Sequence, residues 1–199
     1  MAFLLIVIAY LFGSVPFGYL IVKLKEGGDV RSSGSGNIGA TNVLRTAGRG
    51  SAFLTLLFDA AKGYLAVWLA GLISQHSPQT VALAAVAVVL GHLFPIFLKF
   101  KGGKGVATTL GVFLYLSAVP ILFALSAFLA VVVVSRYVSL GSIVAAVVFP
   151  AVYLLWEYPR NPSLWLFVAV VICSVLVIVK HHENMQRLWA GRERRLGAS

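Results

Sequence analysis

Cysteine and charged side chains are both scarce in this sequence. Its one cysteine, Cys173, lies inside an apolar run, so no disulfide framework can form within the chain. Charged residues make up 11% of the chain, whereas soluble domains carry about 25%. The charge is also unbalanced, with six acidic residues against sixteen Lys and Arg. A soluble globular domain and a disulfide framework are therefore excluded.

Most of the chain is apolar. They account for 60% of the chain, and the mean hydropathy is +0.95, which indicates an integral membrane protein. The net charge of +10 would suggest nucleic acid in a soluble protein. In a membrane protein, basic loops on the cytoplasmic side and anionic lipid head groups explain it better. We expect membrane lipids and no nucleic acid among the partners.

The apolar segments can be compared with the ~20 residues that a helix needs to cross a membrane. Met1 leads directly into "AFLLIVIAYLFG" without a basic n-region, so we expect a retained span rather than a cleaved signal peptide. The clear spans are predicted at about 2–22, 51–73, 80–98, 139–156 and 163–179.

A charge-free run of 31 residues, from Gly105 to Ser135, decides the topology. One helix of that length would reach ~46 Å, beyond the ~30 Å hydrocarbon core. Two spans, at 105–117 and 119–135, put every Lys and Arg except Arg160 and Lys62 on one side, as the positive-inside rule prefers. We predict an all-α membrane protein of seven transmembrane helices. Its N-terminus is outside, its C-terminus is cytoplasmic, and residues 1–199 form one domain.

The first polar stretch is "RSSGSGNIGATNVLRTAGRG", residues 31–50. Its G-x-G-x-x-G pattern begins at Gly34, but a dinucleotide site also needs a preceding strand and an acidic residue about 20 positions on. Asp59 has that spacing by accident, because it lies in an apolar helix and no strand precedes the pattern. A dinucleotide site is rejected.

Local chemistry still favours an anion at this stretch. Glycines allow successive backbone N–H groups to turn toward a phosphate, and Arg45 adds a guanidinium that fits phosphate oxygens. Further donors come from Ser35, Asn37, Thr41 and Asn42. The alternative is a flexible Gly/Ser linker, which explains the glycines but not the dense amides, hydroxyls and arginines.

The second polar stretch is "GHLFPIFLKFKGGKGVATT", residues 91–109. It is not a Walker A loop, because Gly105 follows Lys104 where Ser or Thr should bind magnesium. Lys104 and the N–H groups of Gly103 and Gly105 nevertheless open a helix, whose N-terminus attracts anions. A basic membrane anchor is the alternative, but it does not need the glycines. His92 is either a substrate contact or part of a helix kink before Pro95.

The third polar stretch is "KHHENMQRLWAGRERR", residues 180–195. A metal site is poorly supported, because the ligand spacing is wrong and carboxylates are scarce. His181 and Asn184 are i,i+3 neighbours if the helix continues, and together they could hold a substrate hydroxyl. From Arg187 onward an interfacial anchor is the better interpretation. Asp59 and Lys62, also i,i+3, are interpreted as a structural pair or as functional intramembrane charges.

The predicted topology brings all three stretches to the cytoplasmic side, where we expect them to form one site. With "GSGNIGATNVLR", "GHLFPIFLKFKGGKGVAT" and "KHHENMQRL" in this order, the chain resembles the bacterial acyl-phosphate:glycerol-3-phosphate acyltransferase family of the PlsY type. The resemblance extends over essentially the whole chain except residues 197–199. It implies transfer of a fatty acyl group from acyl phosphate to the 1-hydroxyl of sn-glycerol 3-phosphate, the first acylation of bacterial phospholipid synthesis.

The resemblance also implies residue roles. The catalytic set is Ser35, Arg45, Lys104, His181 and Asn184. Substrate-binding residues are expected to be Ser35, Gly36, Asn37, Thr41, Asn42, Arg45, His92, Gly102, Gly103, Lys104, Ser139 and Ser142. No metal and no cofactor are expected. The partners are glycerol 3-phosphate and acyl phosphate, and we expect a monomer in the cytoplasmic (inner) membrane.

The sequence also bears on which group takes the proton of the substrate hydroxyl and on two rival functions. No histidine here has an Asp five residues later, so the H-x-x-x-x-D base of other glycerolipid acyltransferases is absent. A substrate phosphate oxygen is hypothesised to take the hydroxyl proton while His181 and Asn184 position it. The rivals are an organic-phosphate carrier, which would show inverted repeats and a midplane site, and a lipid-binding protein without turnover.

Overall fold

The computed structural model describes residues 1–197 and is helical throughout its regular structure. Ala198 and Ser199, which belong to the C-terminal tail expected to lie beyond the resemblance, fall outside the described residues. The described chain forms nine α-helices. They are α1 (Ala2–Ser14), α2 (Phe17–Glu26), α3 (Ala40–Ile73), α4 (Pro78–Leu93), α5 (Val106–Leu116), α6 (Ala118–Ser135), α7 (Val138–Val152), α8 (Leu164–Lys180) and α9 (His182–Trp189). The all-α prediction is confirmed.

Helix lengths support fewer crossings than the seven predicted. Among the described residues, five helical segments are long and apolar enough to span, and the bent pair α8–α9 makes a sixth. The charge-free run does break at Ser117, as expected, but it divides unevenly into 11 and 18 residues. At ~1.5 Å per residue, α5 reaches only about 16 Å. Its sequence is apolar, but its length is short of a full crossing.

Two predicted spans have different boundaries in the structure. The first is interrupted at Val15–Pro16, which separates α1 from α2. The second begins at Ala40 rather than near residue 51, and a kink at Gly48, with φ +80°, divides α3. The Lys25 ammonium donates to the Ala47 carbonyl and the Ser51 hydroxyl on the two sides of that kink. Much of the first polar stretch is therefore helical rather than loop.

The chain divides into two compact units, and the first is Met1–Tyr115. Within it, glycines let helix backbones touch. A Cβ atom added to Gly13 of α1 would lie 2.1 Å from the Val88 carbonyl oxygen of α4, and one on Gly111 of α5 would lie 1.8 Å from the Ala60 oxygen of α3. Small residues favour such close packing in membrane helices. The apolar helices α1, α3, α4 and α5 thus form the frame that carries the first two polar stretches.

A small apolar cluster lies under the first polar stretch. Its buried members are Val22, Val30, Ile38, Val43, Ala47, Ala52 and Leu98. Leu98 comes from the turn that follows α4, and the others come from α2, the loop and α3, so burying them fixes the loop against these elements. The loop is consequently a packed structure and not a flexible linker.

The second unit begins at Leu116 and contains α6 to α9. Helices α8 and α9 meet at His181 with a bend of 52°. Beyond α9 the chain returns to the start of α7, where the Leu196 N–H donates to the Arg136 carbonyl and the Arg195 guanidinium lies over the Tyr137 ring. The prediction of a single domain over residues 1–199 stays a prediction.

Candidate active site

Asn42 organises the first polar loop. Its side-chain Oδ1 accepts the N–H of Ser35 at 2.7 Å, and its Nδ2 lies within 3.1 Å of the carbonyl oxygens of Val30, Ser33 and Asn37. The side chain is buried, at 2% exposure. A buried amide with these partners holds the loop backbone in place. We therefore revise its predicted role from substrate donor to organiser of the loop.

The glycines of this loop serve its turns more than an open anion cradle. Gly34 and Gly36 have φ of +65° and +70°, which favours glycine. The N–H of Ser35 donates to Asn42, and the N–H of Gly36 donates to the Ser33 carbonyl. Some of the N–H groups that we expected to face a ligand therefore form hydrogen bonds within the loop and its helix. Asn37 also acts locally, since its Oδ1 accepts the Gly39 N–H.

The remaining candidates of this stretch lie around the organised loop. Ser35 and Arg45 are exposed, and Thr41 is half-buried in the first turn of α3. Arg45 sits on the helical segment between that turn and the Gly48 kink. A hydroxyl and a guanidinium held by a packed loop and a helix suit the recognition of an anion.

Asp29 and Arg31 close the base of the loop. The Arg31 guanidinium lies 2.7 Å from the Asp29 carboxylate and stacks over the Tyr19 ring. This hydrogen bond, aided by the positive charge, holds the pKa of Asp29 below its usual value although partial burial opposes the effect. Arg31 therefore has a local structural role.

The second polar stretch forms a tight loop against the end of α4. A Cβ atom on Gly102 would lie 2.2 Å from the His92 carbonyl oxygen, so only glycine fits. The N–H of Gly103, which we expected to face an anion, instead donates to that carbonyl at 3.0 Å. Gly105, with φ +82°, accepts the Thr109 N–H at the start of α5. Lys104, half-buried, is carried between these fixed glycines.

His92 lies behind this loop. Its side chain is buried, and its Nδ1 is 3.5 Å from the Asp59 carboxylate. Asp59 in turn forms an ion pair at 2.7 Å with Lys62, as the i,i+3 spacing predicted. The burial of the imidazole against loop backbone argues against the direct substrate contact that we expected for His92.

The helix does not continue without interruption through the third polar stretch. His181 separates α8 from α9, and both His181 and Asn184 are buried. The His181 Nδ1 lies 2.7 Å from the Val177 carbonyl oxygen. Because a carbonyl can only accept, Nδ1 carries a proton, and in the neutral ring Nε2 is then an acceptor. The imidazole orientation is thus set by its own helix.

Glu193 connects two of the predicted residues of the second unit. Its carboxylate accepts from the Asn184 amide at 2.6 Å, the Ser139 hydroxyl at 2.8 Å and the Arg187 guanidinium at 2.7 Å. Burial alone would raise its pKa, but these three donors outweigh it, and the pKa lies below its usual value. Asn184 and Ser139 are thereby brought together. Ser142 donates to the Val138 carbonyl of its own helix.

Sequence reasoning missed Glu193. The stretch after Arg187 was interpreted as an interfacial anchor, which suits Trp189, at 92% exposure, but not the buried glutamate. The available signal was a lone acidic residue inside a basic run. The convergence of all three polar stretches at one site stays a prediction.

Comparison with known proteins identifies the family of this chain. Residues 3–191 match the family described as glycerol-3-phosphate acyltransferase. A protein of that name from Trichlorobacter lovleyi is 50% identical over 96% of this chain and 95% of its own length. One from Bordetella pertussis is 47% identical over 97% of this chain and 91% of its own.

Solved structures agree with the sequence matches. A crystal structure of PlsY (YgiH), an integral membrane glycerol 3-phosphate acyltransferase in its glycerol 3-phosphate form, aligns with a TM-score of 0.91 and 38% identity. The alignment covers 98% of this chain and 96% of that one. The lysophosphatidic acid form aligns with a TM-score of 0.88 and 37% identity, over 98% and 95% of the two chains.

The fold and the matches define a multi-pass membrane acyltransferase. The chain belongs to the glycerol-3-phosphate acyltransferase family, of the PlsY type, as the three sequence motifs indicated.

Proposed function

We propose that this enzyme transfers a fatty acyl group from acyl phosphate to the 1-hydroxyl of sn-glycerol 3-phosphate. The observation that carries the acceptor is the PlsY crystal structure in its glycerol 3-phosphate form, which matches this chain with a TM-score of 0.91. The lysophosphatidic acid form of the same neighbour fits the acylated product. The donor follows from the resemblance of the three motifs to the acyl-phosphate-dependent family.

The reaction needs no nucleophile from the protein. The 1-hydroxyl oxygen attacks the acyl carbonyl carbon, the bond from that carbon to the bridging phosphate oxygen breaks, and inorganic phosphate leaves. The hydroxyl proton passes to a phosphate oxygen of a bound substrate, so charge and atoms balance. Acyl phosphate is already activated, and catalysis then depends on positioning and on neutralising anions.

The basic and hydroxyl groups of the first unit are proposed to hold the phosphates. Ser35 and Arg45 project from the Asn42-organised loop and helix, and Lys104 is carried by the glycine loop at the start of α5. Thr41 and the segment Gly36–Asn37 are proposed as secondary contacts of the first loop. Two cationic side chains and a hydroxyl suit two phosphorylated substrates without a metal.

The second unit is proposed to orient the acceptor hydroxyl. The Nδ1 hydrogen bond of His181 fixes the ring, so that Nε2 can accept from the 2-hydroxyl of glycerol 3-phosphate, which leaves the single proton of the 1-hydroxyl for the substrate phosphate oxygen. Asn184, held through its amide nitrogen by Glu193, is proposed to present its side-chain oxygen. Ser139 and Ser142, at the start of α7, are proposed phosphate contacts of lesser weight.

The finer topology belongs to the proposal as well. We infer seven crossings, with the N-terminus outside, the C-terminus in the cytoplasm and α5 as a short seventh crossing. The distribution of Lys and Arg supports this arrangement, and it puts the polar stretches of both units on the cytoplasmic face of the inner membrane. The protein is proposed to act as a monomer.

The test is turnover by purified protein in detergent. We expect release of inorganic phosphate from acyl phosphate only when glycerol 3-phosphate is added, with lysophosphatidic acid formed in equal amount by mass spectrometry. His181→Ala and Asn184→Ala should each lower kcat about 100-fold or more, the scale of a lost transition-state contact. Absence of turnover without a gradient would favour an organic-phosphate carrier, and near-native turnover by both variants would refute their assigned role.

A further inference from the structure

The Lys104 loop rests on the imidazole ring of His92. A Cβ atom placed on Gly103 would lie 2.0 Å from His92 Nε2, 2.8 Å from Cε1 and 2.9 Å from Cδ2. The Gly103 N–H also donates to the His92 carbonyl at 3.0 Å. One residue of α4 therefore contacts the loop through both its backbone and its ring, directly before the lysine that is proposed to bind phosphate.

The opposite edge of the ring faces a buried carboxylate. His92 Nδ1 lies 3.5 Å from Asp59 Oδ1, and the same carboxylate oxygen is 2.7 Å from the Lys62 ammonium. Lys62 also donates to the Val15 carbonyl at 2.9 Å, at the break between α1 and α2. These contacts extend from the first span, through α3, to the end of α4.

The three side chains that make these contacts are all buried. Asp59, Lys62 and His92 are exposed by only 2%, 2% and 3%. A carboxylate inside a membrane protein is costly unless it is paired, and Lys62 already supplies the pairing charge. The contact of Asp59 with His92 is therefore available to orient a ring, and a ring held on one edge presents a fixed surface on the other.

We propose that His92 is a positioning residue for the Lys104 loop and that Asp59 holds its ring in place. The proposal rests on the proposed function, since the loop matters because Lys104 binds a substrate phosphate. His92 itself touches no substrate. It sets the path of Gly102 and Gly103, and through them the position of the lysine, because groups held by a supporting shell keep their catalytic geometry.

The experiment compares variants of the purified full-length enzyme in detergent. We expect His92→Ala to raise KM at least tenfold for the same phosphorylated substrate whose KM rises in Lys104→Ala, while kcat falls less than about threefold, as loss of binding predicts. His92→Gln, whose amide reaches the Nε2 position, should recover part of the affinity. Asp59→Asn should raise the same KM by a smaller factor.

A double variant tests whether His92 acts through Lys104. If it does, His92→Ala with Lys104→Ala should be no weaker, within about twofold, than Lys104→Ala alone, because residues acting through one group are not additive. Effects that multiply would overturn the proposal. So would an unchanged KM for both substrates in His92→Ala.

Thr55→Val provides the matched control. Thr55 is fully buried in α3, and its hydroxyl donates to the Ser51 carbonyl of its own helix. We expect its KM values to stay within twofold of wild type. If His92→Ala does not fold, as judged by its melting profile in detergent, His92→Gln and Asp59→Asn decide the matter, and native KM values in both would overturn the proposal.

Failure of the proposed function can be separated from failure of this inference. Binding of inorganic phosphate, measured by calorimetry, requires no turnover. If wild type binds phosphate but transfers no acyl group, the function is wrong, and the role of His92 is upheld only if His92→Ala and Lys104→Ala lose phosphate affinity together. Loss in Lys104→Ala alone would overturn it.

Discussion

The side-chain amide of Asn184 donates to the carboxylate of Glu193 at 2.6 Å, across the turn that follows α9. The same carboxylate receives the Ser139 hydroxyl from the start of α7 and the Arg187 guanidinium from α9. Glu193 thus joins a helix that carries a proposed substrate residue to the helix that carries another. The orientation of Asn184 depends on a residue outside the three sequence motifs.

Neutralising Glu193 should therefore damage the enzyme. We expect Glu193→Gln to lower the free energy of unfolding by roughly 1–3 kcal/mol, the scale for hydrogen bonds to a buried charged group, and to lower kcat because Asn184 is no longer held. Melting in detergent and steady-state kinetics measure both effects. Its control is Glu183→Gln, since Glu183 is exposed and lies 3.8 Å from Arg187, and exposed pairs contribute about 0–1 kcal/mol. Equal effects of the two substitutions would contradict the prediction.

The Glu193 carboxylate also predicts a pH dependence of stability. Burial raises its pKa, the donors from Arg187, Asn184 and Ser139 lower it more, and the folded-state pKa lies below its usual value. Its contribution is therefore complete above the unfolded pKa of about 4.3 and is lost as pH falls through the lower folded value.

Melting temperatures of wild type and Glu193→Gln should show this dependence. We expect a constant gap from pH 7 down to about 5 and a gap that narrows below about pH 4.3. Asp29→Asn provides a comparison, because its carboxyl also has a lowered pKa through Arg31. If the gap widened in acid, the pKa of the Glu193 carboxyl in the folded protein would be raised rather than lowered, and the prediction would be wrong.

Sequence patterns predicted the helical class, the break near Ser117 and the intramembrane Asp59–Lys62 pair, because apolar length, turn residues and i,i+3 spacing are local properties. They placed the second span too late. Thr41 and Arg45 lie in a polar segment whose helix is held by packing on the cluster around Val43, and tertiary packing of this kind overrides composition.

Site residues were predicted by chemical type more successfully than by role. Asn42 and Gly103 carry the donors expected at a phosphate site, but their hydrogen bonds go to the protein itself. Glu193 was missed because one of its partners, Ser139, is 54 positions away in the sequence and reaches it only through the fold. Such long-range satisfaction of buried polar groups cannot be inferred from one chain's local pattern.

Removing the Asn42 amide should loosen the first polar loop in the absence of substrate. Asn42→Ala leaves the Ser35 N–H and several carbonyl groups without their partner, at a cost of roughly 1–3 kcal/mol. Hydrogen exchange of residues 30–39 in the apo enzyme should accelerate, and activity should fall. Thr46→Val is the control, since its hydroxyl donates to the Asn42 backbone carbonyl within α3. A substrate contact alone would alter KM and leave apo exchange unchanged.

Gly34 combines two requirements that alanine cannot meet. Its φ is +65°, and a Cβ atom would lie 2.1 Å from the Asn42 side-chain oxygen, so Gly34→Ala strains the backbone and displaces the amide that accepts the Ser35 N–H. We expect a loss of activity of at least tenfold, with faster exchange of the loop amides. Gly50→Ala is the matched substitution, because Gly50 lies in a helical part of α3 with no atom within 4 Å of the added Cβ. It should be neutral or stabilise by about 0.5–1 kcal/mol. If Gly34→Ala retained native kinetics while the Asn42 variant lost them, the loop would tolerate a shifted amide and the contact between these two residues would not govern the site.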